Sequence, residues 1–154
     1  MTTVIFTIGT QGQRDESFMG LLNEHTIDAV IDIRQRNEGR YYKFASGRHI
    51  SALVATGGLV YRHELAFAPT PVMLKAYKDG GGWALYESAY RLLYDERAMS
   101  ALWLADYSRY ARPCLLCAES EPSRCHRRLL AEILAQENGV QVVHLGGGKI
   151  HEND

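Results

Sequence analysis

The first 33 residues constrain the fold more than any other stretch. Residues 3–8 form a short β-branched run closed by Gly9, which reads as a buried strand. Gly9-Thr10-Gln11-Gly12-Gln13 then makes a loop. Asp15 is placed to cap a helix that carries Phe18, Leu21 and Leu22 on one face. Residues 27–33 give a second strand, ending in Asp32-Ile33-Arg34. Strand, helix and strand with such short connections make a βαβ unit, and therefore a parallel strand pair.

The rest of the chain repeats that alternation. A helix is expected from His49 and ends at Gly57-Gly58, with a third strand over 59–62. Pro71 starts a further helix, and residues 83–94 make another, followed by one that Asp95 can cap. Tyr86, Tyr90 and Tyr94 fall every four residues, a stripe that reads as packing or partner surface. A fourth strand over 114–118, a helix over 124–137 and a fifth strand over 140–145 complete the pattern. Residues 146–154 are expected to be a frayed tail. The fold class is α/β: one three-layer domain over 1–154, with a mostly parallel sheet of about five strands flanked by helices.

Composition narrows the function. The net charge is −1, so no overall basic character announces nucleic acid, and local charge must be read instead. No run is long and apolar enough to cross a bilayer, and the opening residues lack the basic start of a secretory leader. All three cysteines lie between positions 114 and 125, which is no disulfide framework. A reduced, cytoplasmic protein with no membrane partner is expected. Gly80-Gly81-Gly82 lacks the Lys-Ser/Thr of a phosphate-binding loop, and no cofactor is expected.

The chemistry gathers at strand ends. Ligands of open α/β sheets bind beyond the carboxyl ends of the strands. Thr10 and Gln11 follow the first strand, Asp32 and Arg34 end the second, and Cys117 and Glu119 share a face at the end of the fourth. Residues 34–48 are the most basic stretch, with Tyr41, Tyr42 and Phe44 among the cations. That mixture suits phosphate contact and base stacking, or a solvated loop pinned by its aromatics. Cys114 and Cys117 are three apart on a strand and face opposite sides, so Cys114 belongs to the core. Ser123 or Ser120 can cap the next helix. Stepping back four from Leu129 and Leu130 puts Cys125 and His126 on the buried stripe, with Arg127 at its edge. A cysteine in that first turn feels the helix dipole, which favours its thiolate. Neighbouring helical residues diverge by about 100°, so Cys125 and His126 are not expected to share an ion, and no metal site is expected.

Thr7-Ile8-Gly9, Asp32-Ile33-Arg34, Leu115-Leu116-Cys117-Ala118-Glu119 and Cys125-His126-Arg127 together resemble the domain-of-unknown-function 488 family. Phe44 and residues 58–61 also match family positions. The resemblance implies a compact α/β domain and supplies no reaction. Thr10-Gln11 stands where members usually read His-Ser, and Leu65-Ala66-Phe67 replaces a Leu-Gly-Gly. A rebuilt first loop and pocket rim are expected.

Three functions remain open. In the first, an enzyme acts on a phosphate-bearing small molecule or nucleic acid. Thr10, Gln11, Arg34, Tyr41, Phe44 and Arg127 bind substrate, while Asp32, Glu119 and His126 move protons. In the second, Cys125 is a nucleophile or redox thiol with Cys117 as resolving partner. In the third, the basic loop binds nucleic acid without catalysis. Oligomeric state is left open.

Overall fold

A computed structural model describes residues 1–39, 43–119, 122–146 and 149–153. The elements run β1 (Val4–Gly9), α1 (Asp15–Glu24), β2 (Ala29–Asp32), α2 (Gly47–Thr56), β3 (Val60–His63), α3 (Pro71–Ala76), α4 (Trp83–Glu96), α5 (Met99–Asp106), β4 (Pro113–Cys117), α6 (His126–Asn138), β5 (Gln141–Gly146) and β6 (Lys149–Asn153). They build one sheet in the order β3-β2-β4-β1-β5-β6. Every neighbouring pair is parallel except β5 with β6. The expected α/β architecture is the observed one. The end of the chain, expected to fray, instead adds the antiparallel edge strand β6.

Strand alternation divides the core into two layers. Phe6, Ile8, Val30, Cys114 and Leu116 pack with Phe18 and Leu22 of α1 and Ile50 and Val54 of α2. Ile5, Ile31, Ile33 and Leu115 pack with Tyr86, Tyr90, Trp103, Leu129 and Leu130 from α4, α5 and α6. Cys114 is fully buried in the first layer, as its period requires. Tyr86, Tyr90 and Tyr94 are buried in the second, so the tyrosine stripe is packing; the Tyr90 hydroxyl donates to the Phe67 carbonyl at 2.7 Å.

Three helix starts differ from expectation. Arg14, not Asp15, occupies the cap of α1. Asp15 is the first helical residue, and its carboxylate meets His49 Nε2 at 2.8 Å. Asp95 lies inside the last turn of α4, and the chain turns instead at Ala98, whose φ is 51°. The third is α6. Pro122–Arg124 form a 3₁₀ turn and Cys125 is the N-cap, with an extended backbone (φ −140°, ψ 141°).

Connectivity sets the location of the site. The β1 to β2 connection passes over β4 in one direction, with α1 on one face of the sheet. The β4 to β5 connection passes over β1 in the other, with α6 on the opposite face. The carboxyl ends of β1 and β4 therefore flank the point where strand order reverses, the usual place for a ligand in such sheets.

Candidate functional site

Cys117 is the last residue of β4, and Cys125 and His126 begin α6. The seven residues between the cysteines return them to contact, with Sγ atoms 3.1 Å apart. His126 Nδ1 lies 3.7 Å from Cys117 Sγ. Its Nε2 is 2.7 Å from the Ile33 carbonyl. A carbonyl only accepts, so Nε2 carries a proton and Nδ1 is turned towards the thiols. All three residues are about 95% buried, with exposures of 5%, 4% and 5%.

The electrostatics single out Cys117. Its thiol is held well below the ordinary range, first by the hydrogen bond from Cys125, against the opposing effect of burial, and then by the charge of His126. Cys125 is pushed well above that range by burial and by the Cys117 thiolate beside it. Burial alone would lower His126, but the Cys117 charge and the hydrogen bonds to Cys117 and Ile33 outweigh it and raise it. These shifts place protons on Cys125 and His126 ahead of Cys117. The expected Cys125 thiolate is thus corrected: a second anion beside Cys117 is disfavoured, and Cys125 caps the helix instead of lying within its first turn.

A crevice of about 220 Å³ opens over this cluster. Cys117, Cys125 and His126 line it, with Tyr77, Tyr86, Leu74 and Pro69 as an apolar wall. Arg34, Arg36, Arg124 and Glu119 supply the charge. Arg36, Arg124 and Glu119 are exposed, whereas Arg34 is buried.

The end of β2 is built differently. Asp32 follows Val30 on the α1–α2 face and is wholly buried. Its carboxylate accepts from Arg34 Nη2 at 2.7 Å, Arg34 Nε at 2.9 Å, Asn37 Nδ2 at 3.3 Å and the Tyr61 hydroxyl at 2.5 Å. Burial would raise its pKa, but Arg34 and Tyr61 outweigh burial and keep it below the usual range. Arg34 Nη1 continues to the Ala45 carbonyl at 2.7 Å, and the Gly47 N–H donates to the Asn37 carbonyl at 2.7 Å. This network ties Asn37, Ala45 and Gly47 to the end of β2. Asp32 is not among the residues that line the crevice.

The other expected residues separate as well. Thr10 and Gln11 extend the β1–β4 ladder, their N–H groups donating to the carbonyls of Cys117 (3.0 Å) and Ala118 (2.9 Å). Gly9 permits this approach, since a Cβ there would collide with the Glu119 carbonyl. Thr10 is buried and Gln11 exposed, and neither lines the crevice. Phe44 packs edge-on to Phe18 at 5.5 Å, on the α1–α2 side. Arg127 was expected at the stripe edge and is fully buried. Tyr41 lies outside the described residues. Tyr61 and Asn37 were missed: each is one polar residue in an ordinary segment, and only pairing of β2 with β3 brings Tyr61 to Asp32.

Cys117, Cys125 and His126 also hold three possible ligand atoms within 4.8 Å of one another. The expected divergence of Cys125 from His126 assumed that both were helical. Cys125 is extended, so the two side chains converge. No fourth donor joins the group among the described residues, one short of a closed structural zinc site. No helix among the described residues is long and apolar enough to cross a membrane.

The family model described as domain of unknown function DUF488 matches residues 14–134. That range holds β2, β4 and the Cys125-His126 start of α6; β1 and the Thr10-Gln11 loop precede it. No curated protein and no solved structure matches the chain.

Proposed function

The chain belongs to the DUF488 family, and we propose that this member is a cysteine-dependent enzyme whose reactive group is the Cys117 thiolate. The observation that carries this reading is the buried Cys125–Cys117–His126 contact at the floor of an open crevice. A thiol that only packs needs neither a thiol donor nor an imidazole beside it, and its pKa rises with burial, as that of Cys114 does. Cys117 attacks an electrophile in the crevice, and His126 supplies the proton that the leaving group takes.

Iodoacetamide labelling with site mapping tests this. An ordinary thiol of pKa about 8.5 is only about 0.3% ionised near pH 6. At that pH Cys117 is labelled far faster than a free thiol, and faster than Cys114 or Cys125. Labelling of Cys117 at the free-thiol rate removes the assignment.

A second reading is supported by Arg34, Arg36 and Arg124 lining the same crevice, with Glu119 among them. These suit a phosphate-bearing nucleotide or nucleic acid, with Glu119 and His126 exchanging protons with it. Glu119→Gln would then abolish turnover of such a substrate while binding persists. Undiminished turnover removes this reading. Salt-dependent nucleic-acid binding without any turnover would favour a binding module.

A further inference from the structure

A lone nucleophile has no need of a second buried thiol in contact with it, yet Cys125 Sγ lies 3.1 Å from Cys117 Sγ. Resting on the reactive Cys117 thiolate, we infer that Cys117 and Cys125 form a redox couple whose substrate is a small organic disulfide, bound in the crevice and reduced to two thiols.

The chemistry follows from the positions. Cys117 S⁻ attacks one substrate sulfur. A Cys117–substrate S–S bond forms, the substrate S–S bond breaks, and the departing thiolate takes the proton of the His126 imidazolium. The charge on Cys117 is now gone, and with it one reason for the raised pKa of Cys125. Cys125 passes its proton to His126 and attacks Cys117 Sγ. The Cys117–Cys125 bond forms, the mixed disulfide breaks, and the second substrate thiolate is protonated from His126. Two electrons and two protons pass from the protein to the disulfide. An external dithiol then returns the pair to its reduced form.

The geometry suits each step. The sulfurs must close from 3.1 Å to the bonded distance of about 2.05 Å, a movement of about 1 Å. Groups held this close react as though at very high concentration. Around Cys117 lie Cys125, His126 and Arg127 at the start of α6, Arg34 after β2, and Tyr86 and Tyr90 of α4; Glu119, exposed, also lines the crevice. The carboxylate among them, Glu119, is exposed, and the imidazole's own contacts are to Cys117 and the Ile33 carbonyl. The Tyr77–Tyr86 wall receives the apolar parts of a disulfide, and exposed Arg36 and Arg124 receive its carboxylates.

Oxidised glutathione is the probe, added to the wild type, Cys125→Ser and Cys117→Ser, with intact-mass measurement and peptide mapping. The wild type is expected to end with a Cys117–Cys125 disulfide and no attached glutathione. Cys125→Ser is expected to stop with glutathione on Cys117, and Cys117→Ser to gain no adduct. Cys125→Ala replaces the serine variant if that one does not fold. A wild type that keeps glutathione on Cys117, or that stays reduced while iodoacetamide still labels Cys117 rapidly, overturns the disulfide inference and leaves the nucleophile standing. Slow iodoacetamide labelling of Cys117 overturns both. Purified protein carrying one zinc ion per chain, with the thiols reactive only after chelation, overturns the redox couple by making the cluster a metal site.

Discussion

On the α1–α2 side of the sheet, the Asp32 carboxylate is met by Arg34, Asn37 and Tyr61. On the α6 side, the Cys117 sulfur is met by one thiol and one imidazole, and it opens onto a crevice. Both groups are buried, with pKa values lowered by their neighbours, at the ends of neighbouring strands. Their surroundings give them different work. Asp32 has full partners, including a cation that meets it through two nitrogens, so its charge is spent on holding the basic loop. Cys117 has two weak sulfur contacts and space above it. A buried anion that is stabilised but not enclosed remains able to react. The two sides meet at Ile33, whose carbonyl accepts from His126 and whose N–H donates to the Leu116 carbonyl at 3.0 Å.

Removing the carboxylate charge breaks the comparison most severely. Asp32→Asn leaves Arg34 buried without its anion and should cost about 3–5 kcal/mol in urea unfolding. Cys117→Ser should cost far less stability while abolishing rapid alkylation. Equal losses from the two variants would mean that both sides are structural. The Asp32 contribution also has a pH signature. Its folded pKa is lowered, so the stabilisation is complete above the unfolded value of about 3.9 and is lost as pH falls through the folded value. The gap between wild type and Asp32→Asn should therefore shrink only in strong acid.

His126→Gln should act in the opposite way, with a modest effect on stability and a large one on reactivity. Loss of the imidazolium should raise the Cys117 pKa and slow alkylation near pH 6. Stability would show the sign of each partner. The Cys117 contribution is present above its unfolded pKa of about 8.5 and fades as pH falls through its lowered folded value. That of His126 is present below about 6.5 and fades as pH rises through its raised one. Alkylation unchanged in His126→Gln would leave the hydrogen bonds from Cys125 and the Ala118 backbone as the source of the low pKa.

Smaller still is Tyr61→Phe, which deletes one hydrogen bond to a charged group and should cost about 1.5–3 kcal/mol without changing Cys117 labelling. A change in labelling would show that the two sides are coupled. The exposed Lys75–Asp79 pair is the background, and its removal should cost under about 0.5 kcal/mol.

Much of this was legible in the chain. Alternation of strand and helix gave the parallel sheet, and the two-residue period sent Cys114 and Cys117 to opposite faces. The same reasoning put Cys117 at a strand end and Cys125 and His126 over it, although it expected those two to diverge. What stayed hidden depended on local geometry. The helical period was extended one residue too far, to Cys125, and that misjudged both its thiolate and its ability to share a centre with His126. The period put Asp32 and Arg34 on one face without revealing that of the two only Arg34 lines the crevice. Tyr61 and Asn37 reach Asp32 only through strand pairing and loop closure, neither of which leaves a pattern in one sequence.

The central claim is that Cys117, and not Cys125, carries the charge. The ultraviolet absorbance of the thiolate, titrated in the wild type, Cys117→Ser and Cys125→Ser, tests it most directly. The wild type should keep one thiolate well below the ordinary thiol range of about 8.5, and Cys117→Ser should lose it. Cys125→Ser should keep it, because the serine hydroxyl still offers a donor to the sulfur. A low-pKa thiolate that survives Cys117→Ser and vanishes with Cys125→Ser would contradict the account.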